Sequence, residues 1–192
     1  MNFAIIPLVV HVFLRLFLGS LMLCSGITKA SHPHRAAQAV REYQILPAAL
    51  QSRSATVSLI SAGIWATEML VGIGLISGIL LLPASLLTIC LLTVFSGAMG
   101  INLARGRLDL SCHCGGALGD HRISWWLVGR NGLLLAATVL LISLPTDPFA
   151  LNHWPLPAMT AWLTVVLPLL LLVGVVLLLV VLSQALRSLL RT

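Results

Sequence analysis

The chain has 192 residues, 59% of them hydrophobic and 8% charged, with a formal net charge of +6. Soluble globular domains carry roughly 25% charged residues, so this composition excludes an ordinary aqueous fold and leaves a lipid bilayer as the consistent solvent. The basic residues lie between apolar runs rather than in one patch; that is the placement of topology-setting charges, not of a nucleic-acid surface.

A membrane-crossing helix takes about 20 mostly apolar residues. The opening segment, MNFAIIPLVVHVFL, lacks the basic start of a secretory signal. Leu23 stands where a lipoprotein cleavage site before Cys24 would require a small residue. The N-terminus therefore reads as a retained first span, about Ile5–Thr28. The loop that follows, SHPHRAAQAVREYQILPAALQSRS, is amphipathic. Val40, Tyr43, Ile45 and Leu46 are suited to lipid, and Arg35, Gln38 and Arg41 to water and headgroups. An interfacial helix broken at Pro47 fits, as does a plain solvated loop. His32 and His34 read as surface residues.

The long apolar region Thr56–Leu103 carries Glu68 as its sole charge. It is too long for one span and suits two, folded near Ser77–Pro83, where Gly78 and Pro83 supply the turn. Next comes SCHCGGALGD, Ser111–Asp120, with Cys112 and Cys114 one residue apart and Gly115 and Gly116 directly after. A fourth span is predicted at about Ser124–Leu144 and a fifth, free of charge, at Ala158–Leu182. The fold class is thus an all-α membrane protein, a polytopic transmembrane helix bundle of about five spans. A four-helix core occupies residues 1–150, and a C-terminal helix with a short basic tail occupies 151–192.

Five spans place Lys29, Arg35, Arg41, Arg53, Arg105, Arg107, Arg122, Arg187 and Arg191 on one side of the membrane, with Arg130 just inside its boundary. Lys and Arg accumulate on the cytoplasmic side. The N-terminus is expected outside, and the Cys112–Cys114 loop and the C-terminus inside. Within the spans, a carboxylate such as Glu68 costs a few kcal/mol unless it is paired or protonated. Arg15 is the expected partner, since helical rise puts both residues roughly 15 Å below the outer surface. The pair either locks two helices together or lets Glu68 relay a proton.

Of the four cysteines, Cys112 and Cys114 carry the chemistry. A disulfide across one intervening residue closes a small, strained ring, which suits exchange more than structure. Gly115 and Gly116 give the backbone the torsions such a loop requires. Arg105, Arg107 and Arg122 favour the thiolate, with His113 and His121 available as cations or proton acceptors. A zinc site built from Cys112, Cys114, His121 and either His113 or Asp120 is the competing reading, although its spacing matches no familiar structural-zinc pattern. A merely tolerated turn is the third. Cys24, near the inner end of the first span, is a candidate third thiol. Cys90 reads as a small apolar side chain.

Four stretches, LRLFLGSLMLCSGITK, REYQILP, TEMLVGIGLISG and INLARGRLDLSCHCGG, resemble the MauE branch of the MauE/DoxX group of membrane proteins. They cover roughly residues 14–130. The resemblance implies a MauE/DoxX-like four-helix core in a bacterial inner membrane. It also implies a role in maturing the small subunit of methylamine dehydrogenase, a disulfide-rich periplasmic enzyme, by processing, transport, or disulfide formation or isomerisation. A thioredoxin-like protein, MauD, is the implied partner. Carried onto this chain, Cys112 and Cys114 match the family's cysteine pair, Glu68 its intramembrane acid, and Arg15 and Lys29 its first-span basic residues. The chain departs from the common Cys-Gly-Cys form, having His113 between its cysteines. The client folds outside while charge placement puts the thiols inside. Two schemes follow. Reducing equivalents pass outward from a cytoplasmic thioredoxin, by a route that Cys24 begins and Cys90 extends, or the loop tucks into the membrane and is reached from outside. The expected activity is thiol–disulfide exchange by Cys112 and Cys114, with Cys24 and Glu68 assisting and no cofactor or metal. The rivals are a non-catalytic scaffold or export factor that docks the partner, and a quinone-linked subunit of DoxX type. Against haem, His11 is the only histidine within a predicted span.

Overall fold

The computed structural model describes residues 5–44, 47–78, 80–107, 110–112 and 121–144. The elements are α1 (Ile5–Ser31), α2 (Pro33–Glu42), α3 (Ala48–Gln51), α4 (Ser54–Ser77), α5 (Leu81–Ala104), β1 (Ser111–Cys112), β2 (His121–Arg122) and α6 (Trp125–Ser143). Four helices are long and apolar enough to cross a membrane: Ile6–Ser31, Ser54–Ser77, Leu81–Ala104 and Trp125–Ser143. They coincide with the first four expected spans. The expected fifth, Ala158–Leu182, lies outside the described residues.

The four long helices form a closed ring in which α1 packs on α4, α4 on α5, α5 on α6 and α6 on α1. The split of the long apolar region falls where glycine and proline put it. α4 stops at Gly78, whose φ of 73° lets its N–H cap the Gly74 carbonyl at 3.0 Å. α5 then starts behind Leu80, itself left-handed at φ 54°, and carries Pro83 in its first turn, where a missing N–H leaves no helical bond unmade. One end of the bundle therefore holds the α4–α5 turn, and the other holds α2, α3 and the β1–β2 ladder.

The outside of the bundle is apolar. Leu59, Leu70 and Leu133 are each at least 70% exposed, as befits side chains facing acyl chains. Trp125 and Trp126 are exposed where α6 begins, the depth at which tryptophan anchors a helix at a membrane interface. Inside, an apolar cluster of Leu18, Met22, Val71, Leu75, Ala84, Leu92 and Leu141 fills the half nearer the α4–α5 turn. Met99, Leu103, Leu110, Ile123 and Leu127 fill the opposite end. Polar side chains are also drawn inward. Thr88 and Thr138 donate to the carbonyls of Ala84 and Leu134, both at 2.8 Å, so these two hydroxyls are satisfied within their own helices.

α2 differs from the expected lipid-facing helix. Its Ala36 and Ala39 are buried and it packs against α4 and α1, while Arg35, Gln38 and Arg41 point outward as expected. The helix ends at Glu42, before Pro47, because Gln44 turns left-handed at φ 47°. Tyr43 then packs against the cluster around Met99 rather than facing lipid.

Candidate functional site

The site begins with three glycines. An ideal Cβ on Gly19 would lie 2.8 Å from Ile76 Cγ1, one on Gly26 2.6 Å from Met69 Cγ, and one on Gly72 2.7 Å from the Leu23 backbone nitrogen. Only glycine permits this approach, and backbone proximity is what drives helix association where the surroundings are as apolar as the side chains. The contacts also set the register: Gly19 lies level with Ile76, and Gly26 with Met69.

On that register Glu68 faces the last two turns of α1. Glu68 is 1% exposed, and its Oε1 pairs with Lys29 Nζ. Lys29 Nζ also donates to Ser25 Oγ at 3.0 Å and sits 4.9 Å from the centroid of the Phe95 ring on α5. A salt bridge, a hydroxyl and a cation–π contact thus hold one ammonium at the junction of three helices. Glu68 Oε2 is buried with no hydrogen-bond partner among the described residues. The expected Arg15–Glu68 pair is corrected accordingly. Arg15 lies 14 residues before Lys29, roughly 20 Å of helical rise away. The equal-depth argument assumed that α1 and α4 end flush, whereas the glycine register slides α1 past the outer end of α4. Arg15 and His11 are both fully buried in that projecting half of α1. Ser25, Phe95 and the three glycines were not anticipated. The seven-residue interval from Gly19 to Gly26, a repeat of the same helix face, was the available signal.

The second part of the site is the root of the thiol loop. β1 and β2 pair antiparallel, with Ser111 opposite Arg122 and Cys112 opposite His121. The Ile123 N–H donates to the Leu110 carbonyl at 2.9 Å and extends the ladder toward the bundle. Leu110 and Ile123 are 8% and 3% exposed, packed with Met99, Leu103 and Leu127. Asn102, fully buried, fastens this end. Its Nδ2 donates to the Tyr43 carbonyl at 3.0 Å, and its Oδ1 accepts from Arg107 Nη1 at 3.2 Å. One amide thus ties the end of α2 to Arg107, just beyond the end of α5. Asn102 was also missed, though a carboxamide inside an otherwise apolar span is a signal in itself.

Of the cysteines expected to take part, Cys112 lies in β1, while His113, Cys114, Gly115 and Gly116 lie outside the described residues. Cys24 and Cys90 are free thiols on the exposed surface of the bundle; Cys24 therefore faces away from the Lys29–Glu68 junction. Among the described residues, no three His, Cys, Asp or Glu side chains gather to hold a metal ion. The other ligands of the rival zinc set, Cys114, His113 and Asp120, lie outside them.

The arrangement can keep a buried charge pair at the junction of three helices of a membrane bundle and root a cysteine-bearing ribbon at the end of that bundle. Comparison with known proteins places it in a family. The family model described as methylamine utilisation protein MauE matches residues 6–144. The methylamine utilization protein MauE of Paracoccus denitrificans is 34% identical over 142 residues, covering 74% of this chain and 72% of its own. That of Methylorubrum extorquens is 34% identical over 143 residues, 74% of each chain, and that of Paracoccus versutus is 31% identical over 127, 66% of this chain and 65% of its own. No solved structure matches the chain. The matched segment runs from the start of α1 to the end of α6, taking in the glycine register, the Lys29–Glu68 pair and the cysteine ribbon, and the chain belongs to the MauE family.

Proposed function

We propose that this protein serves methylamine utilisation as an inner-membrane thiol–disulfide exchanger, and that it supports maturation of the methylamine dehydrogenase small subunit together with a thioredoxin-like partner. The relatives' shared name supports the pathway. The observation that carries the chemistry is the rooting of Cys112. A backbone ribbon rooted by buried Leu110 and Ile123 supports a cysteine kept at one end of the bundle, where a partner protein can meet it. A bland turn would require no such anchor. Cys114 completes the pair. Cys24, on the exposed face of α1, is the thiol open to a partner alongside the bundle. Glu68, with one carboxylate oxygen on Lys29 and the other unengaged by the described residues, is suited to hold or pass a proton.

The deciding experiment is complementation of a host lacking its own copy. Cys112→Ser and Cys114→Ser variants are expected to reach the membrane at normal levels yet yield no active dehydrogenase, with the small subunit's cysteines left reduced or mispaired. Normal enzyme from both variants would leave the scaffold reading in place. Quinone-dependent thiol oxidation by the purified protein would favour the DoxX-type reading instead.

A further inference from the structure

α2, α3 and the start of α4 build a corner where cations and exposed apolar side chains meet. α2 is short and two-sided. Its Ala36 and Ala39 are buried and the helix packs against α4 and α1, while His34, Arg35, Gln38 and Arg41 are exposed. At 3.6 residues per turn these four fall within about 120° of the helix circumference. The chain then folds back. The Leu50 and Gln51 N–H groups donate to the Pro47 carbonyl, and Gln51 Nε2 donates to the Arg41 carbonyl at 3.0 Å. Arg53, from which α4 springs, follows Gln51 by two positions, at most about 7 Å of chain. One side-chain hydrogen bond thus brings the exposed Arg41 and Arg53 to the same corner. Neither forms an ion pair with a described carboxylate. The two acids among the described residues are Glu68, paired with Lys29 inside the bundle, and Glu42, which accepts from Gln38 Nε2 at 2.7 Å.

Beside the two charges the surface is apolar. Leu50 on α3 and Leu59 on α4 are exposed, and Leu59 lies six residues along α4 from Arg53, roughly 9 Å of helical rise. Trp125 and Trp126, exposed where α6 begins, stand at the same end of the bundle, as tryptophan does among headgroups. We propose that this corner is a binding site for an anionic phospholipid such as phosphatidylglycerol, with the headgroup phosphate between Arg41 and Arg53 and an acyl chain along the exposed face of α4 at Leu59. Arginine meets a phosphate with charge and with paired N–H donors. Inorganic phosphate uses the cations and leaves the leucines bare, and a water-soluble acidic protein does not reach the lipid-facing side of a membrane helix. A membrane lipid satisfies both zones at once. The site involves no part of the thiol chemistry and stands or falls separately from it.

The test is lipid binding to the full-length protein purified in dodecyl maltoside. Native mass spectrometry and thermal melts follow a titration with dioleoylphosphatidylglycerol, with dioleoylphosphatidylcholine and sodium phosphate as comparisons at constant ionic strength. The protein is expected to retain the anionic lipid over the zwitterionic one and to melt at a higher temperature with it. Arg41→Gln and Arg53→Gln should each weaken that binding about fivefold, and the two together about thirtyfold. Arg41→Lys combined with Arg53→Lys should keep most of it. Arg105→Gln, an exposed arginine at the end of α5, should leave it unchanged. Lipid-free melts that match the unsubstituted protein show that the fold is intact, and the double lysine variant separates lost charge from lost structure. Equal retention of the two lipids, unchanged binding by the double glutamine variant, or an equal loss in Arg105→Gln overturns the site. Displacement of the lipid by millimolar sodium phosphate makes the corner a soluble-anion site and overturns the lipid assignment.

Discussion

Lys29 and Glu68 are worth more to the molecule as a pair than either is alone. Removing one partner of a buried ion pair leaves a stranded charge and commonly costs about 3–5 kcal/mol, whereas replacing both is often neutral. Lys29 is 10% and Glu68 2% exposed at the side chain, so the full asymmetry is expected here. Lys29→Met or Glu68→Gln alone should lower the melting temperature of the detergent-purified protein clearly, Lys29→Met the more because it strands a carboxylate. The double variant should recover most of the loss. Dehydrogenase maturation then separates structure from chemistry. If the pair is only a clamp, the double variant recovers maturation with stability; if Glu68 moves a proton, stability returns and maturation does not. At this scale the acid was legible in the sequence and its partner was not. Glu68 announces itself as the sole charge in the 48-residue, mostly apolar stretch Thr56–Leu103. Choosing between Arg15 and Lys29 requires knowing how far α1 slides along α4, and that is decided by backbone contact at Gly19, Gly26 and Gly72 rather than by the lengths of the spans.

Helices packed through glycine give a sharp contrast between positions that look alike in sequence. A Cβ at Gly72 meets the Leu23 backbone at 2.7 Å, while one at Gly97, Gly100, Gly129 or Gly132 meets nothing within 4 Å among the described residues. Gly72→Ala must push α1 from α4, at a cost of about 1–3 kcal/mol for overpacking, and should loosen the Lys29–Glu68 contact with it. Gly100→Ala should be silent. Paired thermal melts of the two variants check this, and equal melting temperatures would contradict the register. A second expectation belongs to the hairpin root. Asn102→Leu removes the bonds to the Tyr43 carbonyl and to Arg107, at about 1 kcal/mol for each bond lost. The loss should be local. Amide exchange should quicken at residues 110–112 and 121–123 while α4 stays protected. The long helices were readable because apolar length is a property of composition, and the α4–α5 turn because Gly78 and Pro83 mark it. The ribbon was not readable. Strands of two residues are too short to show alternation, and their pairing depends on Leu110 and Ile123 finding the core formed by Met99, Leu103 and Leu127.

Across the whole bundle, charge is distributed by end. Arg35, Arg41, Arg53, Arg105, Arg107 and Arg122 all lie at the end that carries α2 and the ribbon, and the α4–α5 turn at the other end carries no basic residue. The positive-inside rule leads us to propose the ribbon end as the cytoplasmic one; exposed Trp125 and Trp126 lie at that end, where α6 begins. This orientation limits the electron path. On the proposed thiol-exchange reading, a thiol pair at the cytoplasmic face would draw on cytoplasmic reductant, and its use outside would require transfer across the bilayer. With Cys112 as the lone cysteine, a membrane-impermeant maleimide should label inverted vesicles and leave intact spheroplasts unlabelled. A tag after Thr192 measures the remaining crossing. α6 runs away from the ribbon end, so if Ala158–Leu182 crosses once more, the tag and Cys112 are reached from the same side, with Arg187 and Arg191 joining the other arginines. Labelling of Cys112 only from the periplasmic side would invert the bundle. The protein would then exchange directly with a periplasmic partner, and neither Cys24 nor Cys90 would be required as a relay.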